Sequence, residues 1–356
     1  MGPIPGTTNQ MQTISLVWIP RLTATLSFLG SLAIVYMILS DRKEKLTRSN
    51  HRLMLVLSVV DVLHSAVYAA TTLASPRDSE FYGAMGNMGT CNAQGFFGVL
   101  AYAIPMYNTC LSLYFLLTIR YRMRLSTFST KIEPFMHTLS TMVPLTLAIV
   151  SVSTSSIEPV SNVCFVNFEA PTIASKVILL VVGGILALCF LINLSCMITI
   201  SRLVIKRSNK ARRYSYSATQ KERRVTEKKA IIVQSLFYTG AFFITFIFPA
   251  LVLFLSKRHY PLEALTEIFY PLQGFWNFIL YTRPGVKRVK GTNPDKSCLG
   301  IFREVVFRPK KNEVAIPDAA LQCNIPQMLR AFDSEEIQES DEKAIVMETI
   351  SVKGQI

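Results

Sequence analysis

The chain has 356 residues, of which half are hydrophobic and only 17% are charged, and its mean hydropathy is +0.35. A soluble protein carries about 25% charged residues, so this composition argues against an ordinary water-soluble enzyme. The net charge of +14 does not indicate nucleic-acid binding, because the basic residues lie in short segments between long apolar runs. That arrangement is typical of a membrane protein.

Seven apolar runs are each long enough to cross a membrane, which takes about 20 mainly apolar residues in a helix. They occupy residues 22–40, 51–73, 91–119, 137–156, 176–203, 229–255 and 263–282. We therefore predict an all-α membrane protein built as a seven-transmembrane helix bundle. Residues 1–21 are predicted to be an extracellular amino-terminal segment and 22–282 the bundle. A basic juxtamembrane segment, 283–311, and a disordered acidic cytoplasmic tail, 312–356, would follow.

Basic residues mark alternate connections between the runs. The connection after the first run contains Arg42, Lys43, Lys45, Arg48 and Arg52, whereas residues 157–175 contain no Lys or Arg. The positive-inside rule then places the amino terminus outside and the carboxyl terminus in the cytoplasm. The first run has no basic segment before it and no small-residue cleavage site after it, which indicates a retained span. We predict a multi-pass protein of the plasma membrane.

The juxtamembrane segment combines a basic collar with the alternating apolar and charged residues 298–308. Two interpretations stay open: a short amphipathic helix lying on anionic membrane lipids, with Cys298 as a palmitoylation site, or a poorly ordered basic tether. Ser and Thr residues of the tail are candidate phosphorylation sites. Kinases and arrestin-like proteins would then be partners of the tail.

Seven cysteines are an odd number, and most need no special chemistry. Cys110, Cys189 and Cys196 fall inside apolar runs, where Cys behaves as a small hydrophobe. The predicted topology exposes Cys91 and Cys164 to the oxidising side. We therefore predict that these two form a disulfide across the mouth of the bundle.

Polar residues inside three of the runs repeat at spacings of three and four, so each set occupies one helix face. The second run carries Asp61, Ser65, Tyr68 and Thr72; the third carries Gln94, Gly98, Ala101, Pro105, Asn108 and Ser112; the seventh carries Thr266, Tyr270, Gln273, Asn277 and Tyr281. Such faces are expected to pack against one another and form a polar interior. The alternative is that they are ordinary helix-packing residues.

Asp61 is the carboxylate that lies deepest within a run, and an unpaired charge there is costly. We favour a sodium or proton site at Asp61 that is coupled to helix rearrangement, with Asn277 and Asn108 as partners and His64 nearby. The alternative is a neutral, hydrogen-bonded Asp61. No other cofactor is expected.

Several strings resemble G-protein-coupled receptors. Leu57-Ser58-Val59-Val60-Asp61 resembles the second-helix signature of rhodopsin-like receptors, and Asn277-Phe278-Ile279-Leu280-Tyr281 resembles their seventh-helix Asn-Pro-x-x-Tyr with Phe in place of Pro. Arg120-Tyr121 stands where they carry Asp-Arg-Tyr, but Ile119 replaces the acid. A closer resemblance, through the strings 91–97 and 270–284, is to the slime-mould cyclic AMP receptor-like family.

This resemblance implies a seven-helix receptor over residues 15–310 that couples to a heterotrimeric G protein. An extracellular ligand would enter between helices three, five, six and seven. The candidate ligand-binding residues are Gln94, Tyr102, Glu267, Tyr270 and Gln273. The candidate G-protein contacts are Arg120, Arg202, Lys229 and Tyr281. The resemblance does not identify the ligand.

Rival classes of membrane protein make different demands on the sequence. A retinal protein would need a Lys in the seventh run, and residues 263–282 contain none. We find no His/Glu metal pair, Gly-x-Ser-x-Gly elbow or nucleotide loop, so we predict no enzyme, catalytic residue or metal site. The remaining rival is a secondary transporter or ion-coupled membrane protein that uses Asp61.

Overall fold

The computed structural model describes residues 10–79, 81–160, 162–167, 172–213, 236–252, 255, 259–293 and 296–307. Within these ranges the chain is nearly all helical. The helices are α1 (Gln10–Leu39), α2 (Arg42–Lys45), α3 (Ser49–Ala70), α4 (Met88–Leu100), α5 (Ala103–Ile119), α6 (Leu125–Thr127), α7 (Glu133–Ser153), α8 (Ile173–Arg213), α9 (Leu236–Val252), α10 (Tyr260–Phe269), α11 (Gln273–Thr292) and α12 (Cys298–Phe307). Two short strands, β1 (Ile157–Val160) and β2 (Val163–Val166), lie between α7 and α8.

Five helical stretches among the described residues are long and apolar enough to cross a membrane: Gln10–Leu39, Ser49–Ala74, Met88–Ile119, Leu125–Ser153 and Ile173–Leu203. Large apolar side chains cover their outer surfaces; Leu180, for example, is 77% exposed and Leu22 is 65% exposed. Lipid accepts such a surface, whereas water would penalise it. The predicted fold class is therefore confirmed as a nearly all-α protein of membrane-spanning character, and the count of seven spans stays a prediction.

The helices extend beyond the apolar runs that predict them. The first begins at Gln10 rather than at residue 22, and α8 continues to Arg213. A helix satisfies its backbone hydrogen bonds within itself, so it can project past the apolar core of a bilayer. α8 has 41 residues, about 60 Å at 1.5 Å per residue, which is about twice the thickness of that core.

Prolines interrupt two of the predicted spans. The third consists of α4 and α5 with a break at Ala101 and Tyr102, and Pro105 stands one turn later. The seventh consists of α10 and α11 with a break around Pro271. A proline lacks an N–H and its ring crowds the carbonyl four residues before it, so the helix opens at that point.

The connection between α7 and α8 forms a β-hairpin that the sequence analysis did not predict. β1 and β2 pair antiparallel, with Ile157 opposite Val166 and Pro159 opposite Cys164. Cys164 forms a disulfide with Cys91 of α4, which confirms the predicted bond. Gly95 allows the close approach, since a Cβ there would lie 2.8 Å from Cδ1 of Ile157. The hairpin is thus fixed to one end of the bundle, which we call the hairpin end.

Helix α12 follows α11 at the opposite end. Its Ile301 and Val306 are buried, Val305 approaches Gly285, and the Phe302 ring lies 5.9 Å from that of Phe278. The juxtamembrane segment therefore includes a packed helix and not only a tether. Cys298 begins this helix and is exposed. The predicted tail, 312–356, lies outside the described residues.

Candidate functional site

A cavity of about 140 Å³ opens at the hairpin end. Four of the five predicted ligand-binding residues line it, namely Gln94, Tyr102, Glu267 and Tyr270, whereas Gln273 does not. Other lining residues come from α3, the hairpin, α8, α9 and α10, including His64, Tyr68, Phe165, Leu186, Phe246 and Glu263. The structure therefore brings together residues that are far apart in sequence, around one space.

The two helix breaks border this cavity. Tyr102 lies at the break between α4 and α5, and Tyr270 lies at the break between α10 and α11. Breaks of this kind at membrane depth are tolerated where the backbone lines a cavity or is buried in protein. Both tyrosines are therefore held at points where the helix geometry is already interrupted.

Gln94 joins three elements beneath the hairpin. Its amide nitrogen donates to the carbonyl oxygens of Val67 and Thr71 at 3.1 and 2.8 Å, and its amide oxygen accepts from the Cys164 N–H at 2.8 Å. Both ends of the amide are therefore engaged within the protein. Its position fits a clamp that forms part of the cavity wall better than a group reserved for a ligand.

Aromatic rings form a cluster on the inner side of the cavity. The Tyr270 ring lies 5.0 Å from His64, 5.4 Å from Tyr68 and 5.8 Å from Phe246, each with a near-perpendicular arrangement. Edge-to-face pairs of this kind stabilise a fixed arrangement of rings. Tyr270 is thus in contact with helices α3 and α9 at once.

Two carboxylates of α10 also line the cavity. Glu263 and Glu267 stand one helical turn apart and are only 5% and 4% exposed. Glu267 is one of the predicted ligand-binding residues, whereas Glu263 stands at the boundary of the predicted seventh span. The spacing of four between two acids was the available signal, because it places both on one helix face.

A buried hydrogen-bond network lies beyond Tyr270. Asn277 donates from Nδ2 to Asp61 Oδ2 at 2.9 Å, and Gln273 donates from Nε2 to Asn277 Oδ1 at 3.2 Å and to Asn108 Oδ1 at 3.3 Å. Asn277 is therefore a direct partner of Asp61, as expected, while Asn108 reaches it only through Gln273 and Asn277.

The surroundings of Asp61 include further oxygen atoms with no hydrogen-bond partner among the described residues. These are Asp61 Oδ1 itself and the hydroxyls of Ser58 and Ser65, which lie on the same helix one turn before and after it. Buried polar atoms normally have partners, so orphaned ones indicate a bound water or ion. A set of carboxylate and hydroxyl oxygens fits a hard cation such as sodium, or a proton on Asp61.

The predicted G-protein contacts lie toward the opposite end, apart from Lys229, which lies outside the described residues. Tyr281 and His51 share a hydrogen bond of 3.2 Å between the hydroxyl and Nδ1. Arg120, directly after α5, and Arg202, on α8, are exposed. They follow Ile119 and Ile200, which belong to one hydrophobic cluster.

Two basic residues at this end have contacts that the sequence analysis missed. Lys45 donates to the Met37 carbonyl at 2.8 Å, and burial lowers the pKa of its ammonium group against the opposing effect of Asp41 and Glu44. Arg52 pairs with Glu133 of α7, although the sequence indicated only a loop charge.

No protein-family model matches the chain, and no curated protein is significantly similar to it. The resemblance to the cyclic AMP receptor-like family therefore stays a prediction.

Proposed function

We propose that this chain is a seven-transmembrane G-protein-coupled receptor of the plasma membrane, similar to the slime-mould cyclic AMP receptor-like family. The hairpin end would face outward and bind a ligand in the cavity. The opposite end would activate a heterotrimeric G protein through a surface that includes Arg120 and Arg202. Five apolar helices of spanning length, and the further apolar helix α9, support a bundle of this kind.

The observation that carries the proposal is a row of polar residues along the seventh predicted span, from the cavity toward the opposite end. Tyr270, just before α11, lines the cavity. Gln273 donates to Asn277, which donates to Asp61, and Tyr281, one turn further along α11, shares a separate hydrogen bond with His51. Coupling between distant sites needs an element with two arrangements that both sites influence. Helix α11 carries three of these residues, Gln273, Asn277 and Tyr281, so a shift of this helix would change both sets of contacts.

Activation requires only that the ligand binds one conformation of the bundle more tightly than another. The break between α10 and α11 separates the cavity-lining half of the seventh span from the half that bears Asn277 and Tyr281. A sodium ion or proton at Asp61 would neutralise its charge when bound. Release of Asn277 from Asp61 would then free α11 to move relative to α3.

The test is nucleotide exchange on a panel of purified heterotrimeric G proteins, with the full chain in nanodiscs. We expect exchange above that of empty discs, reduced at least about tenfold by Arg120→Ala if Arg120 makes a charge-assisted contact. Arg77→Ala is the matched control, since Arg77 is exposed at the hairpin end. Equal exchange with loaded and empty discs across the panel, or equal losses in both variants, would argue against the proposal.

A secondary transporter or ion-coupled protein is the second candidate. It is favoured by the two broken helices beside the cavity together with the orphaned oxygen of Asp61, because transporters build ion sites at discontinuous helices. Uptake of radiolabelled sodium into proteoliposomes would separate the two candidates. Uptake that is lost in Asp61→Asn would favour the transporter.

A further inference from the structure

The charge of the cavity is one-sided. Glu263 and Glu267 both line it and are nearly buried, and its described lining contains no Lys or Arg. Two buried carboxylates close together are unfavourable unless cations or donors compensate them. Each carboxylate offers about four acceptor sites, so a contact within the protein still leaves sites for a ligand.

The rings around these carboxylates have the complementary property. Tyr68, Tyr102, Tyr270, Phe165 and Phe246 all line the same space. The faces of aromatic rings attract organic cations, and this attraction is strongest where water is excluded. Carboxylates and aromatic rings around one space therefore favour a positively charged ligand over a neutral one.

His64 gives a second, independent indication of a ligand. Its side chain lines the cavity, the residue is only 2% exposed, and Nε2 has no hydrogen-bond partner among the described residues. A buried ring nitrogen normally has a partner. A polar group of a bound molecule would supply it.

The size of the cavity limits the ligand. An engineered cavity of about 150 Å³ in another protein holds one benzene molecule, and the space here is about 140 Å³. It therefore suits one ring or an equivalent branched group with a short polar arm. A cyclic nucleotide is disfavoured, since its phosphate would face two carboxylates with no described basic residue beside them.

We propose that the cavity binds a small organic cation, a primary amine carried by a single aromatic ring, with the ammonium group between Glu263 and Glu267 and the ring against Tyr102 and Tyr270. As the agonist of a receptor this ligand rests on the proposed function, but its binding does not. The two claims can therefore be tested separately.

The experiment measures direct binding of benzylamine and of benzyl alcohol, its neutral isostere, to the full chain in nanodiscs by saturation-transfer NMR titration, with empty discs subtracted. We expect benzylamine to bind at least about tenfold more tightly than benzyl alcohol, and to lose about tenfold in affinity in Glu263→Gln and in Glu267→Gln. Glu158→Gln is the matched control, because Glu158 is exposed on the hairpin and does not line the cavity. The affinity of this variant for benzylamine should equal that of the unmodified chain.

Equal affinity for the amine and the alcohol in the unmodified chain would overturn the inference without relying on any variant. So would the absence of saturable benzylamine binding, or an unchanged affinity in both cavity variants. Nucleotide exchange is measured on the same discs. Amine binding without nucleotide exchange would argue against the receptor function but leave the organic-cation site standing. Nucleotide exchange without amine binding would support the receptor function and overturn the organic-cation site.

Discussion

Arg52 donates to both carboxylate oxygens of Glu133, from Nε to Oε1 at 2.5 Å and from Nη2 to Oε2 at 2.6 Å. The same guanidinium donates to the Leu46 carbonyl at 2.6 Å and to the Ser129 hydroxyl at 2.7 Å. One side chain thus joins the α2–α3 connection, α3 and the start of α7. A bidentate Arg–carboxylate pair fixes orientation as well as distance, so this pair sets the shape of the end opposite the hairpin.

Replacing Glu133 by Gln keeps the side-chain shape but removes the charge and one acceptor oxygen. We expect a loss of about 1–3 kcal/mol in unfolding free energy, because Arg52 would lose a charge-assisted partner in a half-buried site. Thermal unfolding of the purified protein in detergent measures it. The matched control is Glu44→Gln, which breaks the exposed pair of Glu44 with Arg48 and should cost about 0–1 kcal/mol. Equal shifts in the two variants would contradict the prediction.

Periodicity predicted the buried polar faces because a helix turns regularly and polar groups in lipid must face protein. The contact between Asp61 and Asn277 could be expected for the same reason, since a buried carboxylate needs a donor and both residues lie on polar faces. The disulfide could be predicted because the topology inferred from the loop charges places Cys91 and Cys164 on the oxidising side. These inferences need only the helix period and the chemistry of single residues.

The missed features depend on tertiary contacts that no local pattern encodes. The β-hairpin is short. Its position on α4 depends on the close contact between Gly95 and Ile157 and on the Cys91–Cys164 disulfide. The sequence gives no sign that Arg52 is more than a basic loop residue, because its partner, Glu133, lies 81 residues further along the chain. Glu263 marked the end of an apolar run, and the cavity it lines exists only after α10 has packed beside the hairpin.

The disulfide should contribute strongly to the stability of the hairpin end. It joins residues 73 positions apart, and removing a long-range disulfide typically costs about 2–5 kcal/mol. The double variant Cys91→Ser/Cys164→Ser should therefore unfold at a clearly lower temperature, and added reductant should no longer change it. Cys298→Ser, at an exposed thiol of the opposite end, is the control. A double variant as stable as the control would show that the bond is dispensable.

Sodium should stabilise the protein through Asp61. At a sodium concentration ten times the dissociation constant, binding to the folded state adds about 1.4 kcal/mol to the unfolding free energy. We expect a higher melting temperature in sodium than in potassium at the same ionic strength, and no such difference in Asp61→Asn. Asp78→Asn, on the exposed connection at the hairpin end, should behave like the unmodified chain. A sodium effect of equal size in Asp61→Asn would exclude this residue as the ion site.

Gly274 should resist any side chain, because α1 and α11 touch there. Its N–H donates to the Ser27 hydroxyl at 2.9 Å, and a Cβ at this position would collide with Ser31 Oγ and lie 2.9 Å from the Ser27 carbonyl oxygen. Overpacking a close contact costs about 1–3 kcal/mol, so we expect Gly274→Ala to lower the melting temperature.

Gly184→Ala is the matched control, because a Cβ there meets nothing within 4 Å and alanine favours a helix over glycine by about 1 kcal/mol. Adding Ser31→Ala to Gly274→Ala should recover part of the loss, since it removes the hydroxyl with which the new methyl group collides. Gly274→Ala, Ser31→Ala and the variant that combines them form a double-mutant cycle. It measures the energy of the clash between the new methyl group and the Ser31 hydroxyl. A purely additive cycle would mean that Ser27, whose hydroxyl and carbonyl oxygens would lie 2.7 and 2.9 Å from the new Cβ, and not the Ser31 hydroxyl, determines how closely α1 approaches α11.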